Sequence, residues 1–357
     1  MSSKAASTAK ETETAPVVQL ERAEAPALGK FLGGRLGLTP TGLVVILVMI
    51  ALPFIPPFNQ QHLLRWLIGA AFIAAQSIAF DFTTGYINVV NFGFAAFLGV
   101  GAYTSALLAV NFGLTPWIGM LAGGVVAAAL GLVTGLLTLR VRGIFAALMS
   151  WFVGLALLGL ARNLVDLTRG PAGLRSPFLL DTSDNLPYYF IILVMTGVVY
   201  VVTRLITSSH IGLAFKAIGQ NVDAARASGL NPTFYKVFNF TIQCALAGWL
   251  GGFYAHYIGI LTPNVMLTAA TVQVLAIAYI GGRGSLWGGA VAAFPFIFWF
   301  EWMRSSLTDL PGLHLVIYGA MLIIVMIFYP GGLAKAVEEI GEWIKNQRTQ
   351  PAEVGAD

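Results

Sequence analysis

Residue types that carry out chemistry are few and widely separated in this sequence. The four histidines, His62, His210, His256 and His314, include no pair four residues apart that could hold a metal ion from one helix face. No phosphate-binding loop of the GxxxxGK[ST] type occurs, and the glycine-rich stretch 281–285 lacks its lysine. We therefore expect no catalytic site, no metal, no cofactor and no ATP hydrolysis by this chain itself.

Ionisable residues within the apolar stretches give the second chemical possibility. Ion-coupled carriers place such groups at membrane depth as relays, and the candidates here are Asp81 and Glu301. Both lie near the ends of predicted spans rather than in the middle. An ion-coupled secondary transporter stays open as the alternative function, and a membrane-bound enzyme lacks any catalytic constellation.

The elements that position these residues are predicted to be membrane helices. Hydrophobic residues make up 57% of the 357 residues and charged residues only 10%, against about 25% charged residues in soluble domains. No Asp, Glu, Lys or Arg occurs in 82–139 or in 237–282. Since a spanning helix needs about 20 mostly apolar residues, we predict an all-α polytopic membrane protein of about ten transmembrane helices rather than a soluble helical core.

The distribution of positive charge predicts the orientation of these helices. With the amino terminus in the cytoplasm, 15 of the 20 lysines and arginines fall inside and 5 outside, as the positive-inside rule requires. Both termini are then cytoplasmic, and the net charge of +4 belongs to loops rather than to a nucleic-acid site. We predict a disordered tail over 1–40 in place of a signal peptide, a transmembrane domain over 41–331, and a C-terminal amphipathic helix and tail over 332–357.

One predicted span, Gly85–Ala109, contains polar and glycine residues that interrupt its apolar pattern. Such backbone is tolerated at membrane depth only where it is buried or lines a cavity. We predict that Asn88, Asn91, Tyr103 and Gln243 lie on a translocation pathway, because each is polar within an apolar span. Ordinary amide bonding between helices is the alternative for these residues.

The predicted cytoplasmic connection Ser208–Tyr235 is much longer than the two to eight residues usual between bundle helices. Good helix formers fill its centre, and we predict one helix over 213–229 that ends at Gly229 before Asn231-Pro232. Inside it, Asp223-Ala224-Ala225 is followed by three residues and then by Gly229.

This pattern resembles the Glu-Ala-Ala, three residues, Gly signature of ATP-binding-cassette (ABC) importer permeases, with Asp223 in place of the glutamate. The Ile-x-Leu-Pro element of that superfamily is absent, which points to a divergent branch. Five blocks resemble the LivM-type permeases of branched-chain amino acid transporters. In order, they are FLGVGAYT (97–104), LRVRGIF (139–145), LTRGPAGL (167–174), GLAFKAI with Asn221 (212–221) and IGGRGSLWG (280–288).

One stretch departs from that family. The lead into the first block, 85–94, has an extra pair of residues, and Phe94 stands where histidine is common. Because this stretch borders the predicted pathway, a substrate other than leucine, isoleucine or valine stays open.

The resemblance implies an importer permease that moves a branched-chain amino acid or a similar small polar or amphipathic solute inward by alternating access. It implies two ATP-binding subunits, a second related permease in a heterodimer, an extracytoplasmic substrate-binding protein, and a lipid environment in the bacterial inner membrane. The helix over 213–229 would dock on the ATPase. The residues assigned to this coupling are Lys216, Ala217, Ile218, Asn221, Asp223, Ala224, Ala225, Arg226 and Gly229.

From this assignment, a bulky residue in place of Ala225 is expected to uncouple ATP hydrolysis from uptake, because the small alanines allow close docking of the helix on the ATPase. Paired measurements of uptake and hydrolysis check this, and normal uptake would contradict the assignment.

Overall fold

The computed structural model describes residues 47–307, apart from 57, 139–142 and 183, together with single positions between 312 and 332. The predicted tail over 1–40 and nearly all of the predicted C-terminal segment over 332–357 lie outside the described residues. The described part of the chain is mostly helical. Its helices are α1 (Gln61–Thr84), α2 (Phe94–Phe112), α3 (Pro116–Thr138), α4 (Ile144–Asn163), the short α5 (Val165–Thr168), α6 (Leu186–Thr207), α7 (His210–Gln220), α8 (Val222–Ala227), α9 (Pro232–Ile258), α10 (Thr268–Gly281) and α11 (Trp287–Ser306).

Within the described part of the chain, five helices are long and apolar enough to cross a membrane: α1, α2, α3, α4 and α6. Helix α10 is apolar but shorter. The chain is therefore a mostly helical protein with several candidate spans, and the count of ten remains a prediction.

The packing core lies where α2, α3 and α9 approach one another closely. A Cβ on Gly101 of α2 would collide with the backbone of Gly248 in α9, and one on Gly123 of α3 would lie 2.5 Å from the Gly101 carbonyl oxygen. Small residues permit this backbone contact between helices. Aromatic rings fill the neighbouring space, with Phe97 and Phe240 in an edge-to-face pair at 5.9 Å between centroids.

The stretch 85–93 between α1 and α2 is not helical, in agreement with the glycines and asparagines in its sequence. One amide of this stretch and one at the start of α2 donate to side chains of other helices. The Phe92 amide donates to the Ser150 hydroxyl at 3.1 Å, and the Ala95 amide donates to the Thr271 hydroxyl at 3.0 Å. Side chains thus satisfy backbone groups that no water in a bilayer core could satisfy.

A buried carboxylate closes the end of α1. Asp81 accepts hydrogen bonds from the amide of Gly284, at 2.8 and 3.0 Å to its two oxygens, and from the amide of Leu286 at 3.0 Å. The turn that supplies these amides requires positive φ at Gly282 (108°), Gly284 (83°) and Leu286 (59°). Asp81 therefore joins two parts of the chain that are about 200 residues apart in sequence.

At the other end of the bundle, two short strands form an antiparallel pair. Strand β1 (Leu174–Arg175) pairs with β2 (Ile260–Leu261), in the register Leu174 with Leu261. The buried His256 lies beside this pair: its Nε2 is 2.8 Å from the Ser105 hydroxyl, and its Nδ1 is 2.9 Å from the Ser176 hydroxyl and 2.7 Å from the Pro177 carbonyl oxygen. We call these two regions the Asp81 end and the His256 end of the molecule.

Replacing Asp81 by Asn is expected to lower the free energy of unfolding by about 1–3 kcal/mol, because an amide offers one acceptor oxygen and turns its own N–H groups toward the donors. Thermal unfolding of the purified chain in detergent checks this. The matched control is Glu301→Gln, which removes only a partly exposed ion pair with Arg304 at 3.5 Å and should change stability by less than about 1 kcal/mol. Equal shifts in the two variants would contradict the anchoring role.

Candidate functional site

The connection between α6 and α9 folds as two helices, α7 and α8, so the prediction of one helix over 213–229 is wrong. The break falls at Asn221, whose backbone is extended with φ −153° and ψ 110°. Its side-chain oxygen accepts from the amides of Asp223 and Ala224, both at 3.0 Å. Asparagine at this position starts a new helix because its side chain satisfies the first free amides.

Helix α7 presents one face to the protein and one outward. Ala214, Phe215 and Ile218 are buried, and the Phe215 ring meets Phe82 of α1 edge-to-face at 5.8 Å between centroids. On the outward face Leu213 is 64% exposed. This helix is thus attached to the Asp81 end through its apolar side.

A close backbone approach strengthens this attachment. A Cβ on Gly219 would collide with the backbone carbonyl of Tyr86. The Lys216 ammonium lies 5.7 Å from the centroid of the Tyr86 ring, a cation–π distance. Lys216 is exposed, but its ammonium group already contacts the Tyr86 ring.

In helix α8, Ala225 is buried instead of lying on the docking surface where the sequence placed it. Ala225 is only 5% exposed, and its carbonyl accepts from the Leu230 amide at 3.1 Å, whereas Ala224 is exposed. A bulky residue at position 225 would disturb internal packing, so it does not test docking as we expected. Gly229 has φ +84°, the left-handed conformation that commonly ends a helix.

Charged residues of α8 contact each other at the surface. Arg226 Nη1 lies 3.4 Å from Asp223 Oδ1, and both side chains are mostly exposed. The coupling residues thus divide into exposed and enclosed groups. The exposed ones are Lys216, Asn221, Asp223, Ala224, Arg226 and Gly229, and the enclosed or half-enclosed ones are Ala217, Ile218 and Ala225.

Two of the four predicted pathway residues contact each other in the core. The Asn91 side-chain amide donates to Gln243 Oε1 at 2.9 Å, and both residues are fully buried. Gln243 in turn donates to the Phe80 carbonyl at 3.3 Å, and the Gly93 amide donates to Asn91 Oδ1 at 3.0 Å. This geometry agrees with the interhelical amide alternative for Asn91 and Gln243.

The other two pathway residues lie apart from this pair. Asn88 is exposed, with φ +60°, and lines a cavity of about 210 Å³. Tyr103 is 6% exposed and packs in a separate cluster with Ala102, Ala106 and Leu158. The four residues therefore do not form one site.

The cavity beside Asn88 connects the interrupted segment to the α7–α8 connection. Its walls include Thr83 and Ile87 from the Asp81 end, and Ile218, Gly219 and Val222 from α7 and α8. Any displacement of α7 relative to α1 must change the shape of this cavity, because both elements form its walls.

Sequence reasoning missed two buried groups. The sequence placed Asp81 at the end of a span, but its carboxylate accepts hydrogen bonds from amides of the 282–286 turn. A glycine-rich turn leaves backbone amides without partners, and this was the feature that could have indicated a buried acceptor. Asn239, another polar residue of α9, donates to the Phe82 carbonyl at 3.1 Å. Among the described residues, no three His, Cys, Asp or Glu side chains cluster closely enough to hold a metal ion.

The candidate spans and the interrupted segment with satisfied backbone define a polytopic helical membrane protein. Residues 62–326 match the family described as the permease component of branched-chain amino acid transport systems. The chain belongs to this family, which confirms the resemblance to LivM-type permeases.

Curated relatives agree with this assignment. The chain is 28% identical over 285 residues to the high-affinity branched-chain amino acid transport system permease proteins LivM of Salmonella typhimurium and of Escherichia coli, a match that covers 72% of this chain and 66% of each relative. It is 26% identical over 258 residues to the autoinducer 2 import system permease protein LsrC of Yersinia pseudotuberculosis, 66% of either chain. The chain thus spans just under two thirds of the length of these relatives. No solved structure matches it at a significant level.

Replacing Asn221 by Ala is expected to loosen α8, at a cost of about 1 kcal/mol to that helix, because two amides lose their acceptor. Hydrogen exchange should show faster exchange over 222–228 while α7 keeps its protection. Asn221→Asp retains a capping oxygen and serves as the control. Unchanged exchange in Asn221→Ala would contradict the assignment of this residue as the cap.

Proposed function

We propose that this chain is the membrane permease subunit of an ABC importer that moves a branched-chain amino acid, or a similar small amphipathic solute, into the cell. Membership of the permease family supports this, and so does the similarity to the LivM permeases of branched-chain amino acid transport systems. The LsrC match shows that chains of comparable similarity serve a different import system, so the solute is assigned only as a class.

We further propose ten spans, both termini in the cytoplasm and a place in the bacterial inner membrane. The surplus of positive charge on one side supports the orientation. The domain division is the tail 1–40, the transmembrane domain 41–331 and the C-terminal helix and tail 332–357. The proposed partners are two ATP-binding subunits, a second related permease, an extracytoplasmic binding protein and membrane lipid, with neither nucleic acid nor a cofactor.

The observation that carries the coupling mechanism is the two-sided character of α7. Its outward face, with Leu213 and Lys216, is open to a partner, and its inward face forms a wall of the cavity beside Asn88. We propose that a separate ATPase holds α7 and α8 in a surface groove and shifts them through its nucleotide cycle. Because packed helices move as rigid bodies, the shift alters the Asn88 cavity.

The exposed part of α8 supplies the rest of the proposed docking surface. Ala224 permits close approach, and the Asp223–Arg226 pair offers charges of both signs to the partner. Among the pathway candidates, Asn88 has the strongest support because it is exposed in a cavity; Asn91, Gln243 and Tyr103 remain candidates through their polarity.

The alternative function, an ion-coupled secondary transporter, depends on a buried ionisable group that exchanges its ion or proton. Asp81 is the buried carboxylate among the described residues, and three backbone hydrogen bonds already hold it. That environment supports a structural anchor. Uptake that follows a proton or sodium gradient and persists after ATP depletion would favour the alternative.

Replacing Ala224 by Trp is expected to reduce ATP-driven uptake at least about tenfold while the chain stays folded, because the indole points outward and blocks docking. Uptake and ATP hydrolysis are measured in proteoliposomes that hold the whole complex. Ala224→Ser keeps a small side chain and should transport normally. Full uptake with Ala224→Trp would contradict the docking surface.

A further inference from the structure

A second cavity, of about 610 Å³, lies at the His256 end. The first turns of α1, the loop 178–182 and the adjoining ends of α6 and α9 line it, and it is open to the outside on one side. Its volume falls within the range of about 300–1,000 Å³ that is usual for small-molecule sites. Nothing in the coupling mechanism uses this cavity.

The cavity combines opposite charges with apolar walls. Arg65 of α1 and Asp181 of the loop both line it, and both are exposed. Neither side chain has a hydrogen bond or an ion pair within the described part of the chain. The apolar and aromatic surface comes from Phe178, Leu180 and Tyr257. A site with one cation, one anion and an apolar wall matches a ligand that carries the same three features.

The walls are held in place before any ligand arrives. The Tyr188 hydroxyl bonds both the amide and the carbonyl of Leu180, at 3.1 and 3.2 Å, and the Leu179 amide donates to the His256 carbonyl at 3.1 Å. The rings of Tyr188 and Tyr257 lie 5.2 Å apart between centroids. Such preorganisation lowers the entropy cost of binding.

A second carboxylate close by in sequence, Asp184, already has hydrogen-bond partners. It accepts from the Gln61 side-chain amide at 3.0 Å and from the Leu186 amide at 3.1 Å, and the Gln61 bond, followed by the Leu186 bond, lowers the pKa of Asp184. Gln61 also binds Asn185, through Oε1 at 2.7 Å. Asp181 is therefore the carboxylate of this loop that is available to a ligand in the cavity.

We propose that this cavity binds a small zwitterion with an apolar side chain, as an α-amino acid is. The ligand carboxylate pairs with the Arg65 guanidinium, whose fork of N–H groups suits two oxygens. The ligand ammonium pairs with Asp181, and the side chain packs against Phe178 and Tyr257. The inference rests on the proposed importer function and adds a solute site on the permease itself, separate from the external binding protein.

The test uses the full chain in lipid nanodiscs, with radiolabelled L-leucine as the probe and no binding protein present. Two competitors each lack one charge: leucinamide has no carboxylate, and 4-methylpentanoate has no ammonium. We expect saturable leucine binding that Arg65→Gln weakens about tenfold or more, while the affinity for leucinamide hardly changes. Asp181→Asn should weaken leucine binding similarly and leave 4-methylpentanoate unaffected.

Matched controls are Arg162→Gln and Asp166→Asn, which remove exposed charges that do not line the cavity; both should bind leucine normally. Thermal unfolding of each variant establishes that it is folded, and Arg65→Lys, which keeps the charge and loses the fork, should give an intermediate loss. Absence of saturable leucine binding, or equal losses in cavity and control variants, overturns the proposal.

The fate of the importer function is read separately from ATP-driven leucine uptake by the whole complex. Uptake without leucine binding to this chain overturns the cavity site and leaves the importer proposal standing. If leucine binds to the cavity and uptake is unchanged after ATP depletion, the importer proposal is overturned and the proposal of the cavity site stands.

Discussion

A charge that is enclosed in protein must have its hydrogen-bonding capacity filled, and the Asp81 carboxylate meets this constraint with backbone amides. Three hydrogen bonds from Gly284 and Leu286 hold it. This choice fixes the turn after α10 against the end of α1. A Cβ on Gly85 would lie 2.5 Å from the Gly284 nitrogen. The residue that follows α1 must therefore be a glycine if the 282–286 turn is to pack this closely against it.

Three regions far apart in sequence therefore converge on the end of α1. The 282–286 turn contacts it through Asp81, the interrupted segment 85–93 departs from it, and α7 packs on it through Phe215 and Gly219. If α7 is the docking helix, as we propose, a partner pushes on a region whose neighbours are fixed to one another by short hydrogen bonds and backbone contacts. Force on α7 then reaches the Asn88 cavity directly, because α7 itself forms one of its walls.

Local patterns predicted the features that depend on local physics. Long charge-free runs predicted apolar helices, the glycines and asparagines of 85–93 predicted a break, and Gly229 has the positive φ expected of a helix-ending glycine. The break at Asn221 was also a local signal, since asparagine favours the first position of a helix. Good helix formers lie on both sides of Asn221, and for that reason the sequence predicted one continuous helix.

Features that depend on tertiary contact could not be predicted. Ala224 and Ala225 are adjacent and identical, and only the packing of α8 on the protein decides which one faces outward. The Asn91–Gln243 bond joins residues 152 positions apart, and polarity alone cannot distinguish such a pair from a pathway lining. A single sequence gives the residue type at a position but not the partner across the bundle.

Helix α9 explains how events at the Asp81 end and the His256 end can be linked. It has 27 residues, about 40 Å at 1.5 Å per residue, and it contacts both ends. In its first half Asn239 and Gln243 donate to carbonyls of α1, and near its end His256 contacts Ser105 and Ser176, the residue after β1. Because glycines of α9 pack closely against α2 and α3 between these points, we expect a tilt of α9 at one end to displace the loop 178–182, which lines the second cavity, at the other.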